Sequence, residues 1–215
     1  MAAVVALAVI GGGVWYLTAG GDGGGDGGGG AKLKDDGPHR LTAPAEVLGG
    51  TYKSVTKKTD EPRPLGESKA KFLAGTGISA DSQSVVNVYS ASAELQGVPQ
   101  AAGLAFLGVH GEVQDPGKTL DAVLAEMKKR PGVRFIGDAQ EVSPDGLDGA
   151  VMKCQKAESG DPSLPGHTRT GFSCVWADYS TLGVVSPSKP TAEHSMDEAA
   201  RIAAALRKEV RVAGK

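Results

Sequence analysis

With 215 residues, the chain has room for one domain of ordinary size and for additional terminal segments. Its formal net charge of −2 lacks the concentrated basic surplus of proteins that bind phosphate backbones, so we expect no nucleic-acid partner. Aromatic residues make up only 5% of the chain, so the core is expected to consist of small aliphatic residues around a few large side chains, such as Trp176, Phe106 and Phe135.

The N-terminal stretch MAAVVALAVIGGGVWYLTA, residues 1–19, contains no charged side chain. At about 1.5 Å per residue it reaches close to the roughly 30 Å of a bilayer's hydrocarbon core, which predicts a transmembrane signal-anchor helix. A cleavable signal peptide is the main alternative, because Thr18 and Gly20 are small residues near a cleavage-like position. By charge alone, Lys32 and Lys34 would favour a cytoplasmic C-terminal side, but the cysteine pattern discussed below favours the outside.

The next segment, residues 20–40, begins with GGDGGGDGGGG. Such a sequence cannot bury apolar surface, so it predicts a disordered Gly/Asp-rich linker with a root-mean-square span of about 25 Å. Asp22 and Asp26 do not make a calcium site, because two carboxylates on a flexible chain lack the other oxygen ligands and the fixed loop. We expect neither a metal nor a cofactor anywhere in the chain.

From residue 41 to residue 215 the composition is that of a globular domain. LTAPAEVLGGTYK, residues 41–53, predicts an extended lead-in that docks on the domain, and the basic stretch 51–71 is expected to be exposed, with a short helix near 66–74. The β-branched segments 84–93 and 103–113 predict two strands of a hairpin.

Two principal helices are predicted after this hairpin. In the segment 115–132, Asp115 can cap the helix, Pro116 suits its first position, and the apolar residues share one face. Near the C-terminus, Ser195 and Glu198 form an S-x-x-E capping box ahead of a second amphipathic helix. Strand candidates lie in neighbouring runs between these helices, which favours an α+β fold with a mainly antiparallel sheet.

The only two cysteines lie in separate strand candidates, 147–156 and 170–178. If these strands pair antiparallel with Cys154 opposite Cys174, then Met152 lies opposite Trp176 on the same face, and both act as core anchors beside the bridge. A disulfide here would contribute about 3 kcal/mol in the chain-entropy model and would indicate an oxidising compartment. Two buried free thiols, or one reactive thiol with a histidine partner, are the alternatives.

Asp178, His110 and His167 are candidates for a polar site, although an acid in the sequence D-Y-S-T is more typical of a turn. The sequence contains no motif that supports a particular reaction. We therefore expect a non-catalytic domain, with a hydrolase that uses Asp178 and a histidine, or a structural assembly factor, as alternatives.

The short apolar span, the Gly/Asp linker, the LTAPAEVLGG lead-in, the CVWADYSTLGVV strand pair and the closing Ala-rich helix resemble exported, membrane-anchored proteins of actinobacteria. That resemblance implies an extracytoplasmic α+β domain and transfers no catalytic residue. Together with the residues, it predicts a single-pass cell-membrane protein. We expect its outer domain to bind or sense something at the cell envelope, with an envelope protein or polymer as ligand.

Overall fold

The computed structural model describes residues 33–56, 61–91, 102–130, 132–159, 169–189 and 193–214. The predicted anchor at 1–19 and the first part of the predicted linker lie outside these residues. The linker prediction is wrong at its end, because His39 and Arg40 belong to a strand that pairs with the C-terminal strand. Within the described part, no helix is both long and apolar enough to cross a bilayer.

The described residues form three helices and eleven strands. The helices are Glu67–Leu73 (α1), Pro116–Lys128 (α2) and Met196–Val210 (α3). The strands are His39–Leu41 (β1), Glu46–Val47 (β2), Tyr52–Ser54 (β3), Arg63–Pro64 (β4), Gln83–Ser90 (β5), Gly103–His110 (β6), Val133–Glu141 (β7), Val151–Ser159 (β8), Arg169–Ala177 (β9), Thr181–Ser188 (β10) and Arg211–Ala213 (β11).

Nine of these strands form one sheet in the order β2-β3-β5-β6-β10-β9-β8-β7, with β4 paired to β5 outside this path. Every strand pair described is antiparallel, as predicted, and β5 and β6 form the expected hairpin. The mainly antiparallel sheet with three helices is consistent with the predicted α+β class. From β7 at the edge of the sheet, the chain returns through β8 and β9 to β10, which pairs with β6 at the centre. Strand β1 pairs with β11 in a separate ribbon.

Helices cover both faces of the sheet. On one face, which we call the α3 face, the apolar side of α3 packs on Phe106, Met152, Trp176 and Val185. On the other, the α2 face, Leu120, Val123 and Leu124 of α2 pack on alternate residues of the same strands: Val109, Val175, Ala177 and Leu182. Successive side chains of a strand point to opposite faces, so each central strand contributes to both cores.

Local sequence signals explain where α2 and α3 begin. The Asp115 side chain accepts a hydrogen bond from Lys118 N, and Pro116 occupies the first helical position. At the start of α3, Ser195 and Glu198 form the predicted capping box, in which each side chain bonds the backbone N–H of the other residue. Both helix starts are therefore confirmed.

The predicted disulfide is confirmed. Cys154 in β8 and Cys174 in β9 lie directly opposite each other and are bonded, and both side chains are fully buried. The register is the one that the sequence predicts, with Met152 opposite Trp176. The bridge therefore joins two central strands beneath α3.

One expectation about the core is wrong. Phe106 and Trp176 are buried, but Phe135 in β7 is only partly buried. Its strand lies at the edge of the sheet and bulges between Ile136 and Gln140, where Gly137 adopts a positive φ of 68°. Phe135 therefore lies on an open part of the α2 face.

Candidate functional site

Asp178, the acid of the predicted polar site, lies in the turn between β9 and β10 and is 1% exposed. Its Oδ1 accepts hydrogen bonds from the backbone N–H groups of Ser180 (3.0 Å) and Thr181 (2.8 Å), while the Thr181 hydroxyl donates to Oδ2 at 2.6 Å. These are the bonds by which a short acidic side chain holds a turn.

Two arginines approach the same carboxylate from the C-terminal end of α3 and from β11. Arg207 Nη2 donates to Asp178 Oδ2 at 2.8 Å, and Arg211 Nε lies 3.0 Å from the same oxygen. Arg207 also bonds the Asp148 carbonyl, and Arg211 donates to Asp36 Oδ1 at 2.6 Å. The cluster therefore connects the β9–β10 turn, α3 and the segment ahead of β1.

Burial alone would raise the pKa of Asp178. The hydrogen bonds from the Thr181 hydroxyl, from Arg207 and from Ser180 N, together with the positive charge of Arg207, outweigh burial and hold the pKa below its usual range. The carboxylate is thus ionised, buried and fully engaged, which suits a structural ion pair rather than a proton-transfer group.

Of the two histidines of the predicted polar site, only His110 is described, and it does not join this cluster. His110 lies at the end of β6, opposite Thr181, and no hydrogen bond or ion pair connects it to Asp178. Burial, with a smaller effect from the charge of Arg40, lowers the pKa of His110. His167 lies outside the described residues.

The predicted core anchors lie at the centre of the α3 face. Trp176 and Met152 are both fully buried. The Trp176 ring stacks on Phe106, with 5.9 Å between ring centroids and 13° between planes, and it lies over Gly183, its cross-strand neighbour in β10. These contacts assign both side chains to packing on this face.

The described residues include no group of three or more His, Cys, Asp or Glu side chains placed to share a metal ion.

A concave, mainly apolar surface lies on the α2 face. The first part of α2 covers the sheet near Val109, Ala177 and Leu182. Beyond the end of the helix the same face is open and forms a groove of about 440 Å³, which lies in the size range of small-molecule sites. Its walls come from α1, the end of α2 and strands that are distant in sequence.

The lining of the groove is mainly apolar and carries positive charge. Phe72 of α1 and Met127 of α2 face Leu107, Val133 and Phe135 of the sheet. Two arginines, Arg130 and Arg169, also line it, and the lining residues that the structure describes include no aspartate or glutamate. The Arg130 guanidinium lies over the Phe72 ring, 4.0 Å from its centroid.

The exposed large apolar side chains of the described residues lie on the same face. They are Val86 and Val88 of β5 and Val133 of β7, with exposed fractions of 54%, 44% and 37%. In the strand registers, all three point to the face that carries α2, and two of them line the groove or its edge. Apolar side chains that remain uncovered in a cluster are typical of binding surfaces.

The sequence interpretation did not identify this groove. In the segment SVVNVYS, residues 84–90, Val85 lies on one face of the strand and Val86 and Val88 on the other, a pattern typical of a strand with two apolar sides. It did not indicate that α2 would leave part of one side uncovered.

Comparison with known proteins identifies no relative: no protein-family model matches the chain, and neither a curated protein nor a solved structure is significantly similar to it.

Proposed function

We propose that this chain is a membrane-tethered extracytoplasmic binding protein that holds a small apolar ligand in the groove on the α2 face and does not catalyse a reaction. In this proposal residues 1–19 serve as the membrane anchor and the glycine-rich segment that follows serves as the linker. The binding domain consists of residues 41–215 together with His39 and Arg40 of β1. One observation carries the proposal: an apolar groove of about 440 Å³ on a sheet face that α2 covers only in part.

The groove favours ligand binding over a purely structural role. An assembly factor would need an exposed apolar patch but no concavity, whereas here the exposed valines border a concave site. Partial exposure of Phe135 leaves apolar surface in contact with water. A ligand that covers this surface would gain about 25 cal/mol for each Å² of apolar area removed from water.

Two features support an extracytoplasmic location of the domain. The domain contains the Cys154–Cys174 disulfide, and disulfides persist in oxidising compartments but are rare in cytosolic proteins. The uncharged N-terminal stretch has the length of a membrane span and precedes a glycine-rich segment. The hydrolase alternative has less support, because Asp178 is buried and shared by two arginines.

The groove can be tested by photolabelling the full chain in lipid nanodiscs with an uncharged probe, a long-chain alcohol that carries a diazirine. We expect labelled peptides to come from β6, β7 and the end of α2 as well as from the lipid-embedded segment. Ala105, an exposed groove residue of β6, offers a way to fill the site, since Ala105→Trp places a large ring there.

Ala205→Trp is the matched control, because Ala205 is exposed on α3 at the opposite face. Loss of groove labelling in Ala105→Trp, with labelling retained in Ala205→Trp, supports the proposal. Equal labelling of the groove peptides in both variants contradicts it.

The location is tested separately by C-terminal fusions of the full chain in a bacterial host. Alkaline phosphatase folds only where disulfides form, so an outer domain gives phosphatase activity and an inactive β-galactosidase fusion. The reverse result would place the domain inside the cell.

A further inference from the structure

We propose that the ligand of the groove is a long single-chain carboxylate, and that Arg130 binds its carboxylate at the edge of the groove. This inference rests on the proposed binding function and names the chemical class of the ligand. The alkyl chain would lie along the apolar walls formed by Phe72, Met127 and Leu107.

Charge is the first argument for an anionic ligand. The whole chain is slightly acidic, yet the described residues that line the groove include Arg130 at its edge and no aspartate or glutamate. Arg130 is exposed at the end of α2, and no carboxylate of the described residues forms an ion pair with it. A carboxylate at this edge would therefore meet positive charge that is not already neutralised by a described acid.

The contact with Phe72 pre-orients the arginine. The guanidinium lies 4.0 Å from the centroid of the Phe72 ring, and a stacked guanidinium keeps its N–H groups directed outward in its own plane. This planar fork matches the two oxygens of a carboxylate, so a bidentate pair can form with little additional ordering of the side chain.

The floor of the groove favours an alkyl chain over a polar group such as a sugar ring. Two of its hydroxyl groups, those of Ser173 and Ser186, lie 2.9 Å apart and share one hydrogen bond. Each of these two oxygens therefore has a partner within the protein, which lowers the cost of covering them with an apolar chain. The volume of about 440 Å³ suits one small ligand.

The experiment is competition against the uncharged diazirine alcohol in the full chain, in nanodiscs of one lipid composition. The competitors are hexadecanoate and 1-hexadecanol, which have the same chain length and differ in the head group. A charge-assisted bidentate hydrogen bond is expected to make hexadecanoate compete at a concentration about ten-fold or more below that of the alcohol.

Arg130→Gln removes the charge but retains a polar side chain at an exposed position. We expect it to reduce the carboxylate preference to about two-fold or less, while competition by the alcohol stays unchanged. Arg134→Gln is the matched control: Arg134 pairs with Glu158, does not line the groove, and should leave the preference intact. Thermal unfolding of each variant verifies that it is folded.

The outcomes separate this inference from the function on which it rests. If the uncharged probe labels the groove but hexadecanoate and hexadecanol compete equally, the carboxylate assignment is overturned and the binding function stands. If no groove peptide is labelled, both proposals fail. Groove labelling that decreases as protein concentration rises, with cross-links between copies at Val86 or Val88, would show that a second copy occupies this surface and would overturn the assignment.

Discussion

Replacing Gly183 with alanine tests the packing that holds the α3 face together. Gly183 in β10 lies opposite Trp176 in β9, and the indole ring fills the space that a side chain would occupy. A Cβ at this position would lie 2.1 Å from Trp176 Cζ2 and 2.3 Å from Cη2. Ordinary contacts between carbon atoms are about 3.5–4.0 Å, so the ring would have to move by more than an ångström.

The surroundings leave the ring little room for that movement. Trp176 is fully buried and is stacked on Phe106, with Met152 directly opposite it in β8. Overpacking a close-packed core typically costs about 1–3 kcal/mol. At about 2 kcal/mol, and with about 2–4 °C per kcal/mol for a chain of this size, we expect the melting temperature to fall by about 4–8 °C.

The assay is calorimetric unfolding of the full chain, with Gly171→Ala as the matched control. Gly171 lies in β9, and the nearest heavy atom to an added Cβ there is Pro187 O at 3.6 Å, an ordinary contact. We expect Gly171→Ala to unfold within about 1 °C of the unsubstituted protein or slightly above it, because alanine restricts the unfolded chain. Equal melting temperatures for the two variants would refute the packing argument.

Three further predictions concern the bridge, the ion cluster and a buried histidine. Reducing the Cys154–Cys174 bridge, which closes a separation of 20 residues, should lower the free energy of unfolding by about 3 kcal/mol in denaturant titrations; an unchanged midpoint would contradict this. Asp178→Asn leaves two arginines without their buried carboxylate and should lower the free energy of unfolding by about 3–5 kcal/mol in the same titrations. A decrease below about 1 kcal/mol would show that these ion pairs do not stabilise the fold. Burial, with the charge of Lys189, outweighs the opposing charge of Glu198 and lowers the pKa of His194, so the unfolded state binds a proton first as the pH falls below about 6.5. Stability should therefore fall from pH 7 toward pH 5, and His194→Gln should flatten this slope; an identical slope in the variant would refute the assignment.

Elements governed by short-range signals were predictable from the sequence. The capping box at Ser195 and the Asp115–Pro116 pair act within one helical turn, so they mark helix starts in any tertiary setting. The pairing of Cys154 with Cys174 was also predictable, because the residue period of two in adjacent antiparallel strands determines which residues face each other once one pair is assumed.

The Asp178 cluster and the groove both depend on contacts between residues that are remote in sequence. Arg207 lies among the buried residues of α3, and its ion pair is with Asp178, which lies in the β9–β10 turn. Helical periodicity identifies the buried face of α3, but it does not identify which acid will lie beneath it. One of the two strands beside β6 is β10, which is far along the chain, so no local pattern predicts the groove that these two strands share with β9.

The sequence by itself determined the antiparallel α+β character, the starts of the two longer helices and the bridge between β8 and β9, since each follows from the order and spacing of nearby residues. Only the tertiary structure decided which apolar side chains remain uncovered. Each central strand is apolar on both faces, and the length and position of α2 on the sheet determine that Val109 and Leu182 are buried while Phe135 and Val88 border an open groove.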